Sequence, residues 1–246
     1  MLYNSLRLAI FEIQKRSLNT YAGWTWSLLN PISQMAILYF IMNYVFKSEI
    51  DNMLLWLISS LTSWIIIQQA LLKSCNSLVS RRGLMQNNNI SHFMLVTADI
   101  LSEALVLAPF YFLGVLYSIY SGVGIIHIVL IPVLFALILM FLLGSGLILA
   151  TLTPLLRDIP YLLGIVLQIA FWLTPIAYAK TTMTGFSSYL VELNPFTHYI
   201  VLSQDLFMGK ILTAKVFIIP TVISISILFI GLSLSQKIGK SVVIKL

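Results

Sequence analysis

Hydrophobic and polar positions along this chain fall into long blocks, without the short alternations of a soluble fold. Five stretches carry no charged side chain, at residues 52–72, 104–126, 128–156, 159–179 and 216–236, and a sixth, 21–46, opens in a polar, aromatic approach. A membrane-crossing helix needs about 20 mainly apolar residues, since about 30 Å of hydrocarbon is crossed at 1.5 Å per residue. The blocks have that length and are continuous, whereas the strands of a membrane barrel alternate over about ten residues. The pattern predicts an all-α integral membrane protein with one transmembrane domain over residues 1–246 and six transmembrane helices, at 30–46, 53–72, 100–120, 126–149, 160–179 and 216–235.

Three segments lie outside those spans. Residues 1–20 read as an N-terminal amphipathic interfacial helix: Leu2, Leu6, Ala9, Ile10 and Ile13 share a stripe at helical spacing, while Ser5, Glu12 and Arg16 group elsewhere. Arg7, Glu12, Lys15 and Arg16 interrupt this segment as they would not interrupt a cleavable signal peptide. Trp24 and Trp26 follow, suited to the headgroup level, and Asn30-Pro31 reads as the cap and first residue of span one. Residues 73–92 form a polar stretch with Arg81-Arg82-Gly83 and Gln86-Asn87-Asn88-Asn89, where a short helix ending at Gly83 is expected. Residues 180–215 are too many for a turn and too polar to span. Within them Asn194-Pro195 opens and Gly209 closes a helix of about 14 residues, roughly 21 Å long, which suits an interfacial or re-entrant element. Inside the spans, Pro109 and Pro132 are expected to kink their helices, and Gly144, Gly146 and Ala150 form a smooth patch for close helix approach.

Composition narrows the class. The chain is 59% apolar and 9% charged, with a mean hydropathy of +0.98. A soluble domain carries roughly 25% charged residues, and 14 basic plus 8 acidic side chains cannot coat a globule of 246 residues. The net charge of +6 points to topology and anionic lipid, not to nucleic acid. Arg7, Lys15, Arg16, Lys73, Arg81, Arg82, Arg157, Lys237, Lys240 and Lys245 fall in one set of loops, and only Lys47, Lys180, Lys210 and Lys215 in the other. By the positive-inside rule both termini are expected in the cytoplasm. The one cysteine, Cys75, excludes an internal disulfide and a cysteine-based metal cluster.

Candidate chemistry is sparse. Gly239-Lys240-Ser241 matches the end of a phosphate-binding loop, but the first glycine of that motif would stand where Leu234 stands, inside a span. The chain is therefore expected to hydrolyse no nucleotide and to hold no cofactor or metal of its own. His92, His127 and His198 lack ligand spacing, and the Asn89-Ile90-Ser91 sequon falls on the cytoplasmic side. Asp99 and Glu103, at the expected start of span three, either complement the helix dipole or serve as an intramembrane proton or cation relay. Arg157 and Asp158 occupy a short cytoplasmic loop between Pro154 and Pro160, where each is expected to find a partner elsewhere. Aromatic residues make up 12% of the chain. Tyr44, Tyr117 and Tyr120 suit interfacial belts, while Tyr39, Trp56, Trp64, Trp172 and Tyr178 are candidates for a conduit whose rings meet sugar faces.

Four motifs in order carry a family resemblance. Tyr21-Ala-Gly-Trp-Thr-Trp-Ser-Leu-Leu-Asn-Pro31, after a basic amphipathic helix, resembles the approach to span one in ABC-2 type polysaccharide exporters. Leu156-Arg-Asp-Ile159, Phe171-Trp-Leu-Thr-Pro-Ile176 and Leu193-Asn-Pro-Phe196 resemble the second half of the same family. Ala22 stands where that family more often has leucine, and Thr174 where it often has serine. The resemblance implies a channel-forming permease subunit that forms a homodimer and binds two copies of a separate ABC ATPase, which carries the ATP and Mg. It further implies outward movement of lipid-linked polysaccharide (O-antigen, capsular polysaccharide or teichoic acid) across the bacterial cytoplasmic membrane. It places ATPase coupling in 73–92, at Ser77, Ser80, Arg81 and Arg82, and an outer gate in 181–212, at Asn194, Pro195, Phe196 and Tyr199. An ABC-2 exporter of drugs or simple lipids, a proton-coupled transporter using Asp99 and Glu103, and a membrane-embedded glycan enzyme are the alternatives.

Overall fold

The computed structural model describes residues 2–17, 25–81, 83 and 91–245, and only the backbone of 2, 17 and 238–245. Trp24, Arg82, residues 84–90 and the first part of the approach motif lie outside the described residues. The described elements are helices: α1 (Leu2–Ser17), α2 (Thr25–Phe40, continued by a wide π turn at Ile41–Val45), α3 (Met53–Ser80), α4 (His92–Tyr120), α5 (Ile125–Leu152), α6 (Ile159–Leu173), α7 (Phe186–Leu193), α8 (Pro195–Phe207) and α9 (Ala214–Lys245).

Among the described residues five helices are long and apolar enough to cross a membrane: Thr25–Val45, Met53–Ser80, His92–Tyr120, Ile125–Leu152 and Ala214–Lys237. Six spans are expected from the sequence, and the helix in the remaining apolar block is shorter than these five. The apolar block 159–179 yields only the 15 residues of α6, about 22 Å of helix. Its remainder leaves the helix at Thr174, whose ψ of 135° is extended, because the residue before a proline is kept out of the helical region. Pro175 stops what hydropathy alone continues.

Other boundaries moved for equally local reasons. Asn30-Pro31 does not open the first span, since α2 begins at Thr25 and carries Pro31 inside it. Helix α3 continues past residue 72 to Ser80, so the first eight residues of the expected coupling stretch belong to a buried helix. Helix α4 begins at His92, where Ser91 caps it by accepting from the Met94 amide at 3.3 Å. Both α4 and α5 run through Pro109 and Pro132 without ending.

Helix α3 is the axis of the molecule, in contact with α2, α4, α5, α6 and α8. Its core pairs, such as Trp64 with Phe196 and Tyr111 with Phe135, have ring centroids 5.5 and 5.6 Å apart. The small patch on α5 divides between two neighbours. A methyl group at Gly144 would lie 2.5 Å from the Ile227 carbonyl of α9, and one at Gly146 would lie 2.9 Å from the Ser74 hydroxyl of α3. Helix α1 lies against α4 with a mixed face, which takes Ala9 from its apolar stripe and leaves Leu6 and Ile10 outward. Ser5 and Ala9 are buried, and Glu12 and Arg16 turn to the protein, whereas Leu6, Ile10 and Phe11 are exposed.

Candidate functional site

The end of α6 needs explaining before any function is assigned. Non-helical backbone at membrane depth is tolerated only where protein buries it or where it lines a watery cavity. Both conditions hold here. Thr174 donates from Oγ1 to the Ala170 carbonyl at 2.6 Å and accepts from Asn194 Nδ2 at 2.8 Å. The Pro175 carbonyl accepts from Gln204 Nε2 at 2.6 Å, and the Ile176 carbonyl accepts from Trp56 Nε1 at 2.8 Å. Three side chains, from the start of α8, from α8 itself and from α3, thus satisfy polar groups of the segment that follows the helix.

Beside this unwound segment is a cavity of about 740 Å³ between the end of α2 and the exit of α6. Met42, Phe46, Lys47, Ser48 and Glu49 form one wall, and Phe171, Trp172, Ile176 and Tyr178 the other. Apolar rings with a few polar groups between them suit a ligand that has both an apolar face and hydroxyls. Of the conduit candidates, Trp172 and Tyr178 line this cavity, with the Tyr178 hydroxyl donating to the Trp172 carbonyl at 3.2 Å. Tyr39 sits on α2 outside the lining. Trp56 and Trp64 are buried in the subunit: Trp56 braces the α6 exit and carries Lys210 Nζ 4.5 Å from its ring centre, and Trp64 packs on Phe171 and Phe196. The polar tripeptide Lys47-Ser48-Glu49 and Phe171 were missed as lining. Three polar residues set between two apolar blocks were the available signal.

The four gate candidates begin α8. Asn194 is its cap, accepting from the Phe196 amide at 3.1 Å, and Pro195 takes the first turn. Gly209, at φ +66°, follows the helix end in the left-handed region that glycine favours. Phe196 packs edge-on to Trp64 and Phe141, and Tyr199 is buried with its hydroxyl 2.7 Å from Ser224 Oγ. A hydroxyl network joins α8 to α3 and α4: Ser63 Oγ lies 2.6 Å from the Tyr111 hydroxyl and donates to Ser203 Oγ at 3.0 Å, while Gln204 Nε2 donates to Ser60 Oγ at 2.8 Å. Sequence reading passed over this network, although Ser59, Ser60 and Ser63 within an apolar span were its trace. Asn194→Ala should lose both the cap and the Thr174 link, lowering stability by about 1–2 kcal/mol. Thermal unfolding in detergent measures it, and an unchanged Tm would remove the capping role.

At the opposite end of α3 six charges converge. Asp99, fully buried, receives both terminal nitrogens of Arg81 at 2.6 and 3.0 Å, and Lys73 Nζ stands 3.7 Å away. Arg81 also meets Glu12 of α1 at 3.2 Å. Glu103 is paired with Arg16 of α1 and lies 3.2 Å from Lys73. Both acids lie beyond the first turn of α4, so the dipole account gives way to ion pairing. The coupling candidates divide here: Ser77 is buried, Ser80 is exposed and donates to the Asn76 carbonyl at 2.7 Å, and Arg81 is spent on the cluster. Arg157 and Asp158 lie on the exposed turn before α6, and neither forms an ion pair with another described residue. His127 and His198 rest against the carbonyls of Lys210 and Glu192 at 2.9 and 3.1 Å.

These features define a multi-pass, all-α membrane protein whose spans enclose a partly polar recess at a broken helix. No protein-family model matches the chain. It is similar to the O-antigen export system permease protein RfbA of Klebsiella pneumoniae, at 25% identity over 235 residues, 92% of this chain and 88% of the relative. A second Klebsiella pneumoniae protein of that name is 23% identical over the same shares. The Myxococcus xanthus protein of that name is 25% identical over 202 residues, 80% of this chain and 76% of the relative. Likeness of this extent supports an ABC-2 polysaccharide exporter permease, a membrane-embedded transport component.

Proposed function

We propose that this chain is the transmembrane subunit of an ATP-driven exporter that moves lipid-linked polysaccharide outward across the bacterial cytoplasmic membrane. The observation that carries the reading is similarity to O-antigen export permeases over most of the chain. In this reading the subunit acts as a homodimer with two ABC ATPase subunits, which bind the ATP and Mg, and both termini face the cytoplasm. The charge cluster then marks the cytoplasmic end. Exposed Ser80, the exposed Arg157-Asp158 turn and Arg82, which lies outside the described residues, offer contacts to the ATPase, with α1 alongside. Tyr178 and Trp172 meet the saccharide in the recess, and the α7–α8 pair forms the outer gate. A gate of this kind swings as a unit with its α3 hydroxyl network, because Tyr199 and Gln204 are bonded within the subunit.

Co-expression with an ABC ATPase of a polysaccharide exporter tests this directly. Surface polysaccharide should appear only when chain and ATPase are both present, and a cysteine at position 80 should cross-link to the ATPase. Export driven by a proton gradient with the ATPase absent would favour the coupled-transporter alternative. Against that alternative, Asp99 and Glu103 are each engaged by cationic side chains.

A further inference from the structure

We infer that the cavity where α7, α8 and α9 meet, at the end away from the charge cluster, binds a phosphate group. It encloses about 390 Å³ among Lys180, Glu192, Thr197, His198, Thr213 and Lys215. Three independent features converge on an anion. Lys180 is tied to Glu192 at 3.1 Å and holds that carboxyl below its usual range, whereas Lys215 forms no ion pair with a described residue. The described lining therefore carries one positive charge more than it neutralises. Thr213, Lys215 and Val216 line the cavity, so the first turn of α9, whose leading amides have no acceptor within the helix, borders it, with the Val216 amide taken by the Thr213 carbonyl at 3.1 Å.

The third feature is a hydroxyl without a partner. Thr197, 0% exposed, lines the cavity with Oγ1 unbonded, and buried polar groups left unpaired are few in native proteins. Burial holds His198 below the usual imidazole range, with Nε2 against the Glu192 carbonyl at 3.1 Å, so the charge comes from the lysines. Ammonium, helix amides and a hydroxyl together fit a group with several anionic oxygens, and the volume admits its ester substituent. Val216 and Ile219 on one flank give that substituent an apolar wall. The site stands whether or not the chain exports a polysaccharide.

The full chain in neutral detergent is titrated with inorganic phosphate and, separately, with a short-chain phosphatidylglycerol, while tryptophan fluorescence follows thermal unfolding. A diacylglycerol of equal chain length, which lacks the phosphate, serves as the uncharged control. A saturable rise in Tm is expected that exceeds the control, with Lys215→Gln weakening the apparent affinity at least tenfold and Lys237→Gln leaving it unchanged. Thr197→Ala should raise the Tm of the ligand-free protein while shrinking the ligand-dependent rise. A response to phosphate alone assigns the site to a free or sugar-borne phosphate, and a response only to phosphatidylglycerol assigns it to a lipid headgroup. No saturable rise with either, or equal responses in wild type and Lys215→Gln, overturns the site.

Discussion

Arg81→Gln is expected to destabilise the protein by about 3–5 kcal/mol, the usual cost of removing one partner from a buried ion pair. Asp99 is fully buried and takes both of its close hydrogen bonds from Arg81, leaving Lys73 at 3.7 Å as its remaining cation. The damage extends to α1, because Arg81 is also the residue that Glu12 reaches. Asp99→Asn should cost a comparable amount by stranding the guanidinium. The double variant Arg81→Gln, Asp99→Asn should recover much of the loss, since two neutral amides replace two stranded charges. Unfolding of the four proteins in one detergent gives the coupling energy directly. Additive losses with no recovery would show that the pair contributes no coupling. Loss of α1 protection from proteolysis in Arg81→Gln would place the helix under the control of this cluster.

Gly231→Val should separate α9 from α5 and leave no stable monodisperse protein. A Cβ at Gly231 would lie 2.3 Å from the Gly144 carbonyl oxygen, and a Cβ at Gly144 would lie 2.5 Å from the Ile227 backbone. Backbone cannot yield as a side-chain end can. The clash thus moves a whole helix and exceeds the roughly 1–3 kcal/mol typical of overpacking. Close approach of small residues is also what holds helices together in lipid, where burial of apolar surface drives nothing. Gly231→Ala should show the same effect in milder form, with a lowered Tm. Gly164→Ala, where an added methyl meets nothing within 4 Å, is the matched control. Equal stability of Gly231→Val and Gly164→Ala in size-exclusion and thermal assays would refute the contact.

Hydropathy by itself determined the class, since 9% charged residues cannot serve any surface but one facing lipid. Local signals that act within a few residues were equally legible: Asn194-Pro195 is a cap and first turn because its oxygen and missing amide suit those positions, and Gly209 ends the helix by its positive φ. The length of the apolar block at 159–179 overstates its helix, because apolarity is blind to the break before Pro175, and only the proline itself signals it.

What only the tertiary structure decided are the pairings. Asp99 and Glu103 stand four residues apart in sequence, but their partners are Arg16 of α1, Lys73 of α3 and Arg81 at the end of α3. Trp56, a conduit candidate in the sequence, is buried in the fold and donates to the Ile176 carbonyl, 120 residues away. The face of α1 that docks on the bundle carries Ser5, Ala9, Glu12 and Arg16, because charges there find counter-charges, while Leu6 and Ile10 of its apolar stripe are left outward. Hydropathy is a property of each segment alone and determines which segments enter the membrane. Hydrogen bonds and ion pairs between segments depend on which helices become neighbours, and that is settled only when they assemble.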